Sequence, residues 1–344
     1  YDNRTAELAE WAEPELADMR QQGLLEGLFF DTELDDLLAN LSPEEVDSGG
    51  GGDEFEEEID TKQSRVSLGD IWQVGQHRVM CADSTKLPNV MQLMDGKQGV
   101  GVFTSPPYAE QRAAHYESIP EEEYIEWWEP LQANMRVALS SDGSFFLNMK
   151  AHTVAGERSL YVMKLVIDMK ERHKWRYVDE LCWVHITPPG SWPDRFKNGW
   201  ESVFHFAVGN VKFRPRNVRY EGIVPDSSSP QKKSIGTGGY YNIRTRNIPG
   251  FAYPDNVIDT GTPDRGIDHP AIFPVALPSF FMAAYSDPRD LWIDPFIGSG
   301  TSLVAAHRTS RVCYGLDNSP PYCDLTLRRA EAEGIEPIVR LYPQ

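Results

Sequence analysis

The chain has 344 residues, 40% hydrophobic and 11% aromatic, enough to bury a sizeable core in one large domain or two small ones. No apolar run approaches the roughly 18 residues of a membrane span and no signal-peptide pattern opens the chain, so no membrane-spanning helix is expected within these residues. The formal charge is −19, but residues 1–60 hold 20 acidic residues against 2 basic ones, a net of −18 that leaves −1 for the rest.

Residues 1–46 alternate Leu with Glu and Asp and read as one or two short amphipathic helices. Residues 47–65 contain SGGGGDEFEEEID, a glycine run and then an acidic run with almost nothing to bury, and read as a flexible linker. The chain starts at Tyr1 rather than Met, so a fragment or processed piece of a longer protein is expected. From Val66 the texture changes to short apolar runs alternating with helical patterns, as in an α/β sheet. Strands are predicted at His77–Cys81 and Gly99–Phe103, with a helix over Leu87–Met94 between them. A helix over Glu121–Ala138, a strand at Gly143–Met149 and a helix over Leu160–Arg172 follow. Strands near Tyr177–Val184 and Ser202–Val208 complete this half, residues 66–210. Residues 211–262 lose periodicity and read as an inserted, loop-rich segment outside the core. In the last part, 263–344, helices are predicted at Pro274–Tyr285 and Ser302–Arg308, and strands at Leu291–Ile293 and Val312–Leu316.

Charge reverses sign in the insertion. Lys212, Arg214, Arg216, Arg219, Lys232, Lys233, Arg244 and Arg246 face only Glu221 and Asp226, a net of +6 over 36 residues. Such clustering is the footprint of phosphate contact, with a solvated basic loop as the alternative. The four cysteines, Cys81, Cys182, Cys313 and Cys323, form no Cys-x-x-Cys pair, so neither a disulfide framework nor a zinc site is expected, and a reducing cytoplasm is. His152, His185 and His205 are spread out and read as packing or loop residues, so no metal is expected.

Two stretches carry chemistry. VFTSPPY (Val102–Tyr108) drives an apolar strand into two prolines, which cannot continue a sheet ladder, and then presents a ring. The Ser105 hydroxyl and the Pro106 carbonyl are two acceptors beside a stackable Tyr108, a set suited to a planar base with an exocyclic amine. LWIDPFIGSGTSLVAA (Leu291–Ala306) is a strand, an Asp at its end, a Gly-x-Gly turn and a helix start. Gly298 and Gly300 permit a tight turn, and the helix N-terminus offers N–H groups to a carboxylate. RVCYGLD ends a further strand on Asp317, placed to hold ribose hydroxyls. No P-loop is present, and the third glycine of the dinucleotide fingerprint is missing. A ligand with a ribose, an amino-acid carboxylate and no phosphate fits best: S-adenosylmethionine.

Phe103–Tyr108 and Asp294–Thr301 together resemble the amino-methyltransferases of DNA, in the permuted subgroup whose target-amine motif precedes the cofactor motif. TSPPY is similar to the cytosine-N4 enzymes, whereas adenine-N6 enzymes usually carry Asp at its Ser. Leu181–Ala207, His269–Phe281 and Gly69–Thr85 resemble further stretches of the family, so the likeness spans roughly Gly69 to Tyr322. The resemblance implies a circularly permuted, Rossmann-like sheet in which His77–Asp83 supplies the adenine strand. It implies catalytic roles for Ser105, Pro106, Pro107 and Tyr108. Cofactor contacts are expected from Asp83, Thr104, Asp294, Pro295, Phe296, Gly298, Gly300, Thr301, Asp317, His269 and Phe273. DNA contacts are expected from the eight basic residues of the insertion together with Trp192 and Arg195. Partners implied are DNA, a second copy of the chain, and a restriction endonuclease or phage genome setting. The N-terminal stretch NRTAELAEWAEPEL resembles the end of a ParB-like domain, with an acidic solubilising tail as the alternative. Adenine N6 as target, and a non-catalytic DNA-binding module that keeps the fold, stay open.

Overall fold

A computed structural model describes residues 64–109, 119–154, 156–184, 196, 198–225, 247–252, 254–260 and 273–341. The acidic tail and all of the linker before Ser64 lie outside the described residues.

The first elements are β1 (Ile71–Val74), β2 (His77–Cys81), helix α1 (Leu87–Met94) and β3 (Gly99–Thr104). A 3-10 turn at Glu121–Glu123 leads into α2 (Tyr124–Ala138), followed by β4 (Leu139–Met149) and a small hairpin of β5 (Thr153–Val154) and β6 (Glu157–Arg158). Next come α3 (Tyr161–Glu171), β7 (Arg176–Val184), β8 (Trp200–Ala207), β9 (Tyr220–Pro225), β10 (Asn247–Ala252) and β11 (Val257–Ile258). The last part holds α4 (Ala276–Tyr285), β12 (Leu291–Asp294), α5 (Thr301–Arg308), β13 (Val312–Asp317), α6 (Pro320–Ala332) and β14 (Ile338–Leu341).

Ten of the described strands form one sheet in the order β11-β7-β8-β4-β3-β12-β13-β2-β1-β14. Its centre, β4-β3-β12-β13-β2, is parallel throughout, and β8 and β1 flank it antiparallel. Strands late in the chain, β12 and β13, thus lie between the early strands β3 and β2. The fold is α/β in three layers, because the central strands are apolar on both faces. Val102, Phe145 and Leu147 point into a core formed with α1, α2 and α3. Their neighbours Phe103 and Phe146 point the other way, into a core formed with α4, α5 and α6. Helix α2 shows the matching period: Tyr124, Trp128, Leu131, Met135 and Ala138 are buried at spacings of three and four. No helix among the described residues is long and apolar enough to cross a membrane.

The 211–262 segment requires a correction, since part of it is regular structure. A 3-10 turn at Pro215–Val218 docks on α4, where the Arg214 N–H donates to the Ala284 carbonyl at 2.7 Å. The strands β9 and β10 pair antiparallel, and β11 adds a parallel edge strand to β7 with Ile258 buried. The Trp183 indole N–H donates to Thr260 Oγ1 at 3.0 Å and fastens that edge. A two-residue strand is too short to leave a periodic signal, so it reads as loop.

Candidate active site

The two motifs meet because β3 and β12 are parallel neighbours, with Trp292 opposite Gly101 and Ile293 opposite Val102. Both strands deliver their carboxyl ends to one side of the sheet, where open α/β sheets bind ligands.

Asp294 joins the two ends. Its Oδ1 accepts Thr104 Oγ1 at 2.8 Å and the Phe296 N–H at 3.1 Å, while Oδ2 accepts Ser302 Oγ at 2.6 Å. The carboxylate is 1% exposed and engaged on both oxygens, so it ties the start of the Ser-Pro-Pro-Tyr tip to the first turn of α5. Burial pushes its pKa up to about 6, against the pull of the Ser302, Thr104 and Phe296 hydrogen bonds.

The glycine turn follows. Gly298 has φ 50° and Gly300 φ 84°, left-handed values that side chains with a Cβ rarely adopt. A Cβ on Gly300 would also come within 2.9 Å of Thr326 Cγ2. Gly300 caps α5, whose first N–H groups have no intrahelical acceptor and carry the positive end of the helix dipole. Asp317, at the end of β13, accepts the Gly298 N–H at 3.2 Å and the Ser319 N–H at 2.8 Å. Burial raises its pKa to about 6 as well, with the nearby Asp294 charge adding to the rise. These features fit the amino-acid and ribose ends of S-adenosylmethionine: a cradle open to backbone donors and a carboxylate on the adjoining strand.

The Ser-Pro-Pro-Tyr tip is held by α2. The Tyr124 hydroxyl, buried in α2, donates to the Pro107 carbonyl at 2.7 Å. Ser105 Oγ lies 3.3 Å from the Tyr108 hydroxyl, which reaches towards Glu201 Oε2 at 3.5 Å. Lys150 donates to the other Glu201 oxygen at 3.1 Å. Ser105 and Tyr108 are half-buried and Pro106 is buried.

Other expected residues are distributed as follows. Asp83 follows β2, beside the end of β13, and its Oδ1 accepts the Thr85 N–H and hydroxyl at 2.8 and 2.6 Å. Pro295 and Thr301 are buried in the turn, and the Phe296 ring lies 5.8 Å from Trp127. Phe273 packs edge-on against Phe103 of β3 at 5.2 Å. Lys212 pairs with Asp142, and Arg214 with Asp287. Arg216 and Arg219 are exposed. His269, Trp192, Arg195, Lys232, Lys233, Arg244 and Arg246 lie outside the described residues.

Several residues around the site escaped the sequence reading. Thr326 Oγ1 donates to the Gly298 carbonyl at 2.7 Å, and Arg329 Nη1 reaches the Ser299 carbonyl and Thr301 Oγ1 at 3.1 and 2.9 Å. Their only sequence trace is an i, i+3 spacing on the final helix. Glu201 and Tyr124 left no trace, because their elements meet the tip only in three dimensions.

Residues 101–328 match the family described as DNA methylase, of the N6/N4 type. The type II methyltransferase M.PvuII of Proteus hauseri is 26% identical over 253 residues, covering 64% of this chain and 74% of that protein. The type II methyltransferase M.ScaI of Streptomyces caespitosus is 26% identical over 243 residues, covering 67% of this chain and 74% of that protein. Among solved structures, the PvuII DNA methyltransferase (cytosine-N4-specific) superposes with a TM-score of 0.56 at 22% identity, over 76% of this chain and 90% of that one, so the two share a fold. With a match that runs from the strand bearing Ser-Pro-Pro-Tyr to the helix behind the glycine turn, the chain belongs to the N6/N4 family of DNA methylases.

Proposed function

We propose that the protein transfers a methyl group from S-adenosylmethionine to the N4 amine of cytosine in DNA. The observation that carries this reading is Ser105 at the head of a Pro-Pro-Tyr tip, on the strand adjoining the Gly298–Gly300 turn. When bound, S-adenosylmethionine supplies an electrophilic methyl group on a sulfonium. The chain's own residues must then make a poor nucleophile reactive. The cytosine amine is planar because its lone pair is delocalised into the ring. Ser105 Oγ and the Pro106 carbonyl accept its two N–H groups, hold the nitrogen in line with the methyl and favour pyramidal geometry. Serine is no general base, and the proton leaves for solvent once the nitrogen is cationic. Tyr108 stacks on the base, which must be extruded from the duplex to reach the pocket. The Thr104–Asp294–Ser302 bonds keep the tip and the cofactor turn in register during transfer.

Mass spectrometry of nucleosides from DNA incubated with the protein and cofactor tests the product. N4-methylcytosine is expected, and N6-methyladenine as the sole product would transfer the chain to the other branch of its family.

The basic insertion serves DNA binding in this reading. Arg216 and Arg219 are exposed at the start of the insertion, which suits them to meet phosphates. Replacing both with alanine is expected to weaken DNA binding and to flatten its log–log salt slope by about 0.9 per lost contact. Cofactor affinity should not change. An unaltered slope would make the basic cluster a solvated loop and move the DNA path to residues 188–200.

A further inference from the structure

Helix α6 runs behind the glycine turn and presents Thr326 and Arg329 to it, one helical turn apart. The peptide groups of the turn are each held by a hydrogen bond. The Gly298 N–H is held by Asp317, and the Gly298 carbonyl by Thr326. The Ser299 carbonyl is held by Arg329 Nη1, which also contacts Ser299 Oγ at 3.3 Å and Thr301 Oγ1 at 2.9 Å. The Gly300 N–H goes to the Ile297 carbonyl at 2.8 Å. In a trans peptide the carbonyl and the following N–H point in opposite directions. With the Gly298 carbonyl drawn towards α6, the Ser299 N–H faces away from that helix.

Arg329 is fully buried. Burial lowers its pKa only to about 10, so it stays cationic at neutral pH. A buried guanidinium is costly unless it is hydrogen-bonded, and here its bonds go to neutral oxygens of the turn and the first helical residue. All three contacts are made by Nη1, so one nitrogen fixes Ser299 and Thr301 together.

We propose that Arg329, seconded by Thr326, is a positioning residue for the amino-acid end of S-adenosylmethionine. Thr326 fixes the peptide that carries the Ser299 N–H, while Arg329 fixes the peptide that follows and the Thr301 side chain at the start of α5. Together they aim the Ser299 N–H and the first-turn N–H groups of α5 towards the ligand carboxylate, and Arg329 places positive charge behind the same helix start. The inference rests on the cofactor reading above. It concerns one end of the ligand only, because the ribose end is served by Asp317 on another strand.

That asymmetry supplies the test. Calorimetry would compare S-adenosylmethionine with 5′-methylthioadenosine, which keeps the adenosine but lacks the amino-acid end. Arg329→Met is expected to weaken S-adenosylmethionine at least tenfold and to leave methylthioadenosine within twofold. Arg329→Lys should recover part of the loss, since it keeps the charge and a donor group of shorter reach. Equal weakening of both ligands would make Arg329 a packing residue and overturn the proposal, as would unchanged affinity for both. Should Arg329→Met not fold, Arg329→Lys is scored on the same ratio of the two ligands. Wild-type protein that binds neither ligand would overturn the cofactor reading itself. Wild-type binding with an unchanged ratio in the variants would overturn only this inference.

Discussion

Asp317→Ala is expected to weaken S-adenosylmethionine binding by about 10- to 100-fold, the loss of one hydrogen bond to a charged group at about 1.5–3 kcal/mol. Two ribose hydroxyls would suggest more. However, each carboxylate oxygen already accepts a backbone N–H, from Gly298 and from Ser319, so its remaining capacity is shared. The same residue makes binding depend on pH. Its pKa stands near 6, and only the ionised form accepts from both hydroxyls, so affinity should fall as pH drops through 6. The stability of the ligand-free protein should move the other way. A carboxyl whose pKa rises on folding from 3.8 to about 6 binds its proton more tightly in the folded state. Its contribution therefore declines as pH rises from about 4 to 6 and costs about 3 kcal/mol above that window. Asp317→Asn should thus lose cofactor affinity and the pH dependence of both binding and stability, although its amide NH2 faces one of those two backbone N–H groups, of Gly298 or Ser319, which offsets the gain from removing the charge. Calorimetry at pH 5 and pH 7.5, with thermal unfolding at the same two values, checks both halves. Unchanged cofactor affinity at pH 7.5 would mean that β13 is not the ribose strand.

Much of this site could be read from local pattern, because its two motifs are contiguous. Val102 and Phe103 alternate between the two cores until the prolines end the strand, and Leu291–Asp294 does the same before the glycine turn. Elements with a strong period were located almost to the residue: α1 at Leu87–Met94 and β2 at His77–Cys81. The edges of the sheet were not. β1 and β14 pair with each other across most of the chain, and β14 is a half-exposed run that reads as tail. The same holds for the supports of the site. Arg329 is one of two adjacent arginines in Leu-Arg-Arg-Ala, and only its burial against the turn separates it from Arg328, which pairs with Asp324. Long-range partners such as Tyr124 for Pro107 depend on how helices cross the sheet, which no local window contains.

Asp294 shows why such partners matter, and substitutions there separate charge from geometry. Asp294→Ala would leave the buried Thr104 and Ser302 hydroxyls and the part-buried Phe296 N–H without their acceptor. At about 1–3 kcal/mol for each buried group left unsatisfied, the expected loss of stability is about 3 kcal/mol or more at pH 4.5, and smaller at pH 7.5, where the substitution also removes a buried charge. Methyl transfer should fall below detection even at saturating cofactor, because the Ser105 tip is no longer fastened to the turn. Asp294→Asn should behave differently. Its carbonyl can still serve the Phe296 N–H and the Thr104 hydroxyl, and its amide can face Ser302 Oγ, which rotates to accept. The amide also carries no charge to bury. Since the carboxyl ionises near pH 6 in the folded protein, the asparagine variant should match or exceed wild-type stability above pH 6 and lose that advantage towards pH 4. Denaturant unfolding at pH 4.5 and 7.5, paired with single-turnover methylation, reads both effects. If Asp294→Asn proves as inactive and as unstable as Asp294→Ala, the negative charge itself is required, and the hydrogen-bonded clamp is not what joins β3 to β12.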